Sequence, residues 1–371
     1  MQIYVVGGAV RDILLGNNPK DIDYVVVGAT PVDMISQGFT RVGADFPVFL
    51  HPVSGEEYAL ARTERKTGVG YNGFETIFDP SITIVDDLER RDLTINSMAV
   101  PIQDWEQFKV TKCPHLIVDP FHGQQDLSQH LLKHTSEAFA DDPVRVLRAA
   151  RFAARYDFDI DSDTLNLMRV VVHELQHVPA ERIWTEFEKG LSEQFPANMI
   201  RVLHEVNAFV VDIMKPFGAD IRTRWAGQTT VELLDRVKDV RDLPIKFALI
   251  GSTFTPDDYQ RCRIPNDCAT LSNTINQFDM DLVMYDCMSA EDRLRIIMKL
   301  SAINKPQFVN KLFDVMEIIF PDSDVAQSKF KLFDDLETIR TVDAAIFAAS
   351  CKSGEEIKQK LFAARVQVMN K

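Results

Sequence analysis

The sequence lacks any long apolar run, and its cysteines are few. No uninterrupted apolar segment approaches the roughly 18 residues that would span a bilayer, so we expect no membrane helix and a cytoplasmic location. The five cysteines are odd in number and form no Cys-x-x-Cys pair, which argues against a disulfide scaffold or a zinc ribbon in a chain of 371 residues. We expect them to be reduced.

Positive charge is also in deficit. Lys and Arg total 41 against 55 Asp and Glu, which gives a formal net charge of −14. This net charge argues against a whole-surface attraction for nucleic acid, so any bound RNA must meet a local basic stripe. Internal repeats, low-complexity tracts and long flexible linkers are absent as well, so domain boundaries must be found from changes in hydrophobic period.

The pattern of apolar residues changes along the chain. From Asp142 onward, apolar residues recur every three or four positions and prolines divide the rest into helices of ordinary length. The first hundred residues instead contain short β-branched runs broken by Gly, Pro and Asn. These predicted strands lie at 3–6, 22–27, 48–50 and 57–61. The sequence thus predicts a sheet-bearing unit and then helices, with a domain change near residue 140 and a softer boundary near 210.

The opening segment combines a Gly-Gly turn with two nearby carboxylates. A strand, Gly7-Gly8 and a helix start would present backbone N–H groups and Arg11 to a triphosphate, with Gly8 allowing close approach. Asp21 and Asp23 are two apart on a strand-like run, so both carboxylates are predicted on one face. They can hold two Mg²⁺ ions for in-line nucleotidyl transfer. Either motif alone is typical of an ordinary turn or a solvated strand end, whereas their combination indicates a catalytic site.

Four motifs resemble those of a known family, in order and at its spacing, within about the first 200 residues. They are similar to motifs of class II CCA-adding enzymes and of their poly(A) polymerase relatives, and they closely resemble those of the gammaproteobacterial CCA-adding enzymes. The motifs are Gly7-Gly8 to Asp12, Asp21-x-Asp23, Arg90 to Asn96, and Asp141 to Arg145. The resemblance implies an α+β fold: a nucleotidyltransferase head with a mixed or antiparallel sheet, then an all-α neck, body and tail.

The same resemblance implies substrates, a cofactor and site residues. The head would span 1–140, the neck 141–210, and the body and tail 211–371. The implied reaction is template-independent addition of CCA to the 3′ end of tRNA from CTP and ATP, with Mg²⁺. By resemblance, Arg91 contacts the nucleotide, with Asn96 on the same element meeting the ribose. The oligomeric state is left open.

A helix start after Asp142 suggests how C and A could be chosen without a template. Asp142-Pro143 is predicted as N-cap and first residue of a helix on which four arginines, from Arg145 onward, share one face. A solvated basic stripe is the ordinary alternative. Cytosine and adenine both present an exocyclic amine beside an acceptor nitrogen, which Asp142 and Arg145 could satisfy together. Uracil and guanine present the opposite pattern and would be rejected. The resemblance places Arg148 near the triphosphate.

Three further segments are less distinctive. Residues 62–74 are charged, rich in Gly and aperiodic, as in a surface loop. In related enzymes such a loop helps the pocket change from C to A, which favours the complete reaction.

Asp92 is predicted to cap a helix over Leu93 to Ala99. The helix opening at Ala180 is interpreted as structural, and its Arg182 as part of a basic track toward tRNA or as a scattered surface arginine.

Histidine is absent after His204, and no His-Asp dipeptide occurs anywhere. Similar enzymes carry a metal-binding His-Asp phosphohydrolase domain, and Ser252-Thr253 stand where that pair is expected. Neither side chain is an adequate substitute ligand, so we expect no such activity. The alternatives to CCA addition are a poly(A) polymerase, an enzyme restricted to A or to CC, and an RNA-binding protein without catalysis.

Overall fold

The computed structural model divides the chain into two compact units, Met1–Lys215 and Pro216–Lys371. The residues described are 1–42, 48–66, 74–218, 228–251, 254–350 and 353–370. Within these ranges every strand lies in the first unit, and the second unit is built from helices. The predicted α+β fold class is confirmed.

A six-stranded mixed sheet forms the centre of the first unit. The strands of the whole unit, which include two separate two-stranded sheets (β6-β7 and β9-β10), are β1 (Gln2–Val6), β2 (Asp23–Val27), β3 (Thr40–Val42), β4 (Val48–Leu50), β5 (Glu57–Leu60), β6 (Thr63–Lys66), β7 (Phe74–Ile77), β8 (Ala99–Pro101), β9 (Leu131–Leu132) and β10 (Asp159–Ile160). The order in the large sheet is β3-β4-β5-β2-β1-β8, in which only the β2–β5 pair is parallel. The four predicted strands are found, with their ends shifted by one residue at most.

Helices cover both faces of this sheet, which explains why its strands are apolar without strict alternation. The first unit contains α1 (Gly8–Leu14), α2 (Pro31–Ser36), α3 (Ile84–Glu89), α4 (Trp105–Thr111), α5 (Gly123–Ser128), α6 (Val144–Tyr156), α7 (Ser162–Val171), α8 (Ala180–Ser192) and α9 (Pro196–Glu205). Val5 and Val26 belong to one core cluster with α1 and α4, whereas Val6 and Val25 belong to another with α3. Successive side chains of a strand therefore pack on opposite faces.

Helix α6 follows the sheet and packs against α8 and α9. Its apolar side, including Leu147, is buried. The predicted cap is displaced by one residue: α6 begins at Val144, and Pro143 occupies the N-cap position. Asp142 still caps the first turn, since its Oδ1 accepts a hydrogen bond from the Val144 amide at 3.1 Å.

Two segments differ from the sequence-based expectations. The predicted helix over Leu93 to Ala99 is wrong: only Thr94–Asn96 form a 3-10 turn, and Ala99 opens β8, where it pairs with Val6. Pairing in the sheet overrides the local helical pattern there. The segment 62–74, predicted as a loop, contains β6 and the first residue of β7, and these two strands pair antiparallel. Residues 67–73 between them lie outside the described residues.

The second unit is a set of helices. Helix α10 (Lys215–Gly218) leads into it, and the others are α11 (Thr230–Asp235), α12 (Leu243–Ala248), α13 (Pro256–Arg261), α14 (Asn266–Val283), α15 (Ala290–Lys299), α16 (Pro306–Ile319), α17 (Val325–Arg340), α18 (Ala344–Ser350) and α19 (Gly354–Met369). At its centre the buried carboxylate of Asp335 accepts from Arg293 Nε at 2.7 Å and from the Tyr285 hydroxyl at 3.0 Å. Ser252 and Thr253 lie outside the described residues.

Two composition-based expectations can be compared with the structure. Among the described residues, none of the helices is both long and apolar enough to cross a membrane. Cys113, Cys262, Cys268 and Cys287 are free thiols, as expected, and Cys351 lies outside the described residues. The predicted division between head and neck falls inside the first unit, so it stays a prediction.

Candidate active site

A cavity of about 790 Å³ opens in the first unit. The ends of β1, β2 and β5 form one side, and α6 and α8 form the other. All but one of the residues predicted for the site line this cavity: Gly8, Arg11, Asp23, Arg91, Asp142, Arg145 and Arg148. Asp21 is exposed and lies two residues before β2, outside the lining. The structure thus brings residues from distant motifs to one place.

The Gly-Gly turn has a backbone conformation and close neighbours that a side chain would disturb. Gly7 has φ +66°, and a Cβ added there would lie 2.8 Å from Nη1 of Arg91. A Cβ on Gly8 would lie 3.4 Å from Nη2 of Arg11. Two guanidinium groups therefore rest directly against the turn. Their positive charge lies at the predicted triphosphate site.

Arg11 joins the turn to α6. Its side chain is buried, donates to Asp12 and to Asn96 Oδ1, and lies 5.3 and 5.2 Å from the ring centres of Phe152 and Tyr156. These contacts fix the guanidinium before any ligand binds. The predicted contact with a triphosphate would therefore use a group already held in place.

The carboxylates near the turn lie at the start of neighbouring strands. Asp23 opens β2 opposite Val6, and it is exposed at the edge of the cavity. Glu57 opens the parallel strand β5 and also lines the cavity, a residue that sequence reasoning did not single out. The sequence feature that could have indicated Glu57 is its position as an acidic residue at the start of a predicted strand. Asp21 precedes regular β2, so the strand alternation used to place it beside Asp23 stays untested.

The described residues contain no cluster of three or more His, Cys, Asp or Glu side chains arranged to hold a metal ion by themselves. Mg²⁺ commonly binds through one or two carboxylates and completes its shell with water and substrate phosphates. Exposed carboxylate oxygens at the rim of a cavity fit that ion, provided that a nucleotide supplies the remaining ligands.

A buried carboxylate orients Arg91. Asp87 in α3 is fully buried and pairs with Arg90 at 2.7 Å and with Arg91 at 3.1 Å. Burial raises the pKa of Asp87, but the charges of Arg91 and Arg90 outweigh it and hold that pKa below its usual range. Asp87 is therefore ionised at neutral pH and fixes the guanidinium of Arg91 against Gly7.

Asp92 and Arg148 form a second fixed pair, at 2.7 Å. Burial raises the pKa of Asp92, yet the Arg148 charge and the Asn96 hydrogen bond lower it well below its usual range. Asp92 Oδ1 also accepts from the Leu93 amide, which replaces the predicted helix cap. The Asn96 amide accepts a hydrogen bond from Arg11 and donates one to Asp92, which orients it; its predicted contact with a ribose stays a prediction.

The proposed base-reading pair is also restrained by neighbours. Arg145 donates to the carbonyl oxygens of Ala138 at 2.8 Å and Arg90 at 2.7 Å. Asp142 pairs with Arg182 of α8 at 2.8 Å. All four arginines predicted to share a face of α6 line the cavity, which supports a functional face over a solvated basic stripe: Arg145, Arg148, Arg151 and Arg155.

Helix α8 contributes more than the sequence suggested. Its Arg182 faces the cavity, and Glu186, one turn further on, pairs with Arg151 at 2.7 Å and lies 3.9 Å from Arg148. The sequence feature that could have indicated this is the i, i+4 spacing of Arg182 and Glu186, because it puts both residues on one side of the helix. Sequence alone gave no partner for either.

Comparison with known proteins places this arrangement in a family. Residues 3–133 match the model of the poly A polymerase head domain, and residues 157–211 match the probable RNA and SrmB-binding site of polymerase A. The multifunctional CCA protein of Dechloromonas aromatica is 38% identical over 409 aligned positions, covering 100% of this chain and 97% of that protein. The chain belongs to the multifunctional CCA protein family. The Neisseria meningitidis serogroup B member is 42% identical over 341 positions, covering 83% of this chain and 79% of the relative.

Solved structures support the fold of this CCA protein family member. CCA-adding enzyme complexes with ATP and with CTP each superpose with a TM-score of 0.68 at 20% identity, covering 99% and 100% of this chain and 86% of each of those chains. The Thermotoga maritima CCA-adding enzyme complexed with tRNA gives a TM-score of 0.66 at 20% identity, covering 99% of this chain and 87% of that chain. At this identity the likeness shows the fold alone.

Proposed function

We propose that this chain adds C, C and A in turn to the 3′ end of tRNA from CTP and ATP, without a template. The observation that carries the proposal is the meeting of the Gly7-Gly8 turn, Asp23 and the Asp142–Arg145 helix start around one cavity. In each step the 3′ oxygen of the RNA forms a bond to the α-phosphorus, the bond to the β-phosphate oxygen breaks, and pyrophosphate leaves. Family membership supports the same reaction.

We assign metal binding to Asp21 and Asp23, with Mg²⁺ as the ion. Exposed carboxylate oxygens are hard ligands that suit Mg²⁺, and the triphosphate supplies further oxygen ligands. Two bound ions would lower the pKa of the attacking 3′-hydroxyl and stabilise the leaving pyrophosphate. The pairing of Val6 with Asp23 brings β2 beside the Gly-Gly turn at the end of β1, which supports the assignment of Asp23.

We assign the triphosphate to the positive side of the cavity. Gly8 lets the phosphates approach the backbone, while Arg91 and Arg11 supply charge already held by Asp87 and Asp12. Arg148 extends this charge along α6. Guanidinium groups form strong charge-assisted hydrogen bonds with phosphate oxygens, and groups fixed in advance lose little entropy on binding.

We assign base choice to Asp142 and Arg145. The carboxylate would accept from the exocyclic amine of C or A, and the guanidinium would donate to the ring nitrogen beside it. U and G offer a carbonyl and a ring N–H at those positions, so acceptor would face acceptor and donor would face donor. Both side chains line the cavity and are restrained by neighbouring groups, which supports this role.

We further propose a head at 1–140, a neck at 141–210 and a body and tail at 211–371, and a cytoplasmic location. The cavity lies between residues of the proposed head and neck, within the first compact unit. This arrangement would leave the second unit to bind tRNA.

The test is to incubate the pure chain with tRNA lacking its CCA end and with each nucleotide, alone and in pairs, and to sequence the products. Addition of CC from CTP alone and of CCA from CTP with ATP would support the proposal. Long A tails would indicate a poly(A) polymerase, and products stopping at CC or needing a preformed CC would indicate a partial enzyme. Absence of any addition would indicate a protein that only binds RNA.

A further inference from the structure

Asp142 must present its carboxylate in one orientation if it is to recognise an amine. Two groups restrain it in the structure. Oδ1 accepts from the Val144 amide at 3.1 Å, and Arg182 reaches both oxygens, at 2.8 Å from Nη2 to Oδ2 and 3.5 Å from Nη1 to Oδ1. A carboxylate has about four acceptor positions, so these contacts orient it and still leave room for a base amine.

Arg182 is placed for this task by the helix that carries it. Arg182 and Glu186 lie four residues apart in α8, on the same side of the helix. Arg182 pairs with Asp142, just before α6. Glu186 lies near Arg148 and pairs with Arg151, one to two turns into α6. The alternating pairs fix the register of α8 against the helix start. Arg182 itself is about one-third exposed, so the fold does not depend on burying it.

We propose that Arg182 is a positioning residue that fixes the carboxylate of Asp142 for discrimination of C and A from U and G. The inference rests on the proposed base-reading role of Asp142. Without Arg182, the Val144 amide would be the one remaining hydrogen-bond donor to this carboxylate among the described residues, so the side chain would have to be ordered each time a base binds. Ordering one side chain on binding corresponds to about two- to twelvefold in affinity.

The test measures kcat/KM for all four nucleotides with the full chain and a tRNA lacking its CCA end. Arg182→Ala should lower the preference for C over U, and for A over G, by about two- to twelvefold. Arg182→Lys keeps the charge and one donor and should recover most of the preference. The matched control is Arg169→Ala: this arginine is 37% exposed, pairs with Glu205 at 3.0 Å and lies outside the cavity lining, so the preference ratios should not change.

A double-mutant cycle separates this inference from the proposed function. If Arg182 acts through Asp142, Arg182→Ala should cause no further loss of preference in an Asp142→Ala background. An equal loss of rate for all four nucleotides, an unchanged preference, or an additive effect in the cycle would overturn the positioning role. If Asp142→Ala itself keeps full preference, the proposed base-reading site is wrong instead. If Arg182→Ala unfolds at a markedly lower temperature than the wild type, the nucleotide preference of Arg182→Gln is measured in its place.

Discussion

Replacing Gly7 by alanine should damage nucleotide binding through Arg91 as well as destabilise the fold. At φ +66° an L-residue costs about 1 to 2 kcal/mol of unfolding free energy. The new Cβ would also lie 2.8 Å from Nη1 of Arg91, closer than carbon and nitrogen can stand, so the guanidinium or the turn must shift. A guanidinium–phosphate hydrogen bond contributes about 1.5 to 3 kcal/mol, so losing its alignment should lower kcat/KM for CTP and ATP roughly ten- to a hundredfold.

Gly55 offers a matched control. It has φ +73°, and a Cβ built there would meet nothing within 4 Å. Gly55→Ala should therefore cost a similar backbone strain of about 1 to 2 kcal/mol without disturbing any neighbour. The assays are denaturant unfolding and steady-state incorporation with tRNA lacking its CCA end. If both variants lose stability equally and both keep normal kcat/KM, Arg91 does not need its place against the turn, and the phosphate assignment is wrong.

Three other predictions concern the metal, the acid range and a missing activity. Asp21→Ala or Asp23→Ala should abolish incorporation while leaving circular dichroism and tRNA affinity nearly unchanged, because both residues are exposed; near-normal turnover would refute the metal assignment. Since the folded-state pKa of Asp92 is lowered, its contribution to stability is full above the unfolded value of 3.8 and falls as pH drops below it. Asp92→Asn should thus show a flatter loss of unfolding free energy as the pH falls below 3.8, and a slope equal to that of the wild type there would contradict the ion pair. The chain should not hydrolyse 2′,3′-cyclic nucleotides in a chelator-sensitive way, because its second unit lacks a His-Asp pair.

Local sequence signals predicted much of the sheet and the order of the site motifs. Val5 and Val26 lie in short β-branched runs bounded by Gly and Pro, and such runs form strands when both faces can be buried. The arginine period after Asp142 predicted the helix that lines the cavity. These features depend on neighbours within a few residues, so the chain order alone reveals them.

The remainder depends on contacts between distant residues. Arg182 and Asp142 are 40 residues apart, and nothing in either motif indicates that they pair. Glu57 reaches the site only because β5 runs parallel to β2. The segment from Leu93 resembled a helix, but the pairing of Ala99 with Val6 draws it into the sheet. Such contacts follow from tertiary packing, which periodicity does not encode.

The most direct test of the account measures base choice at each step of addition. We would determine kcat/KM for CTP, ATP, UTP and GTP on tRNA substrates that end before the first C, before the second C and before the A. Arg145→Ala and Asp142→Ala should lower the preference for C over U and for A over G by roughly ten- to a hundredfold, together with the rate. If both variants lose activity equally for every nucleotide and keep the wild-type preferences, these residues do not read the base.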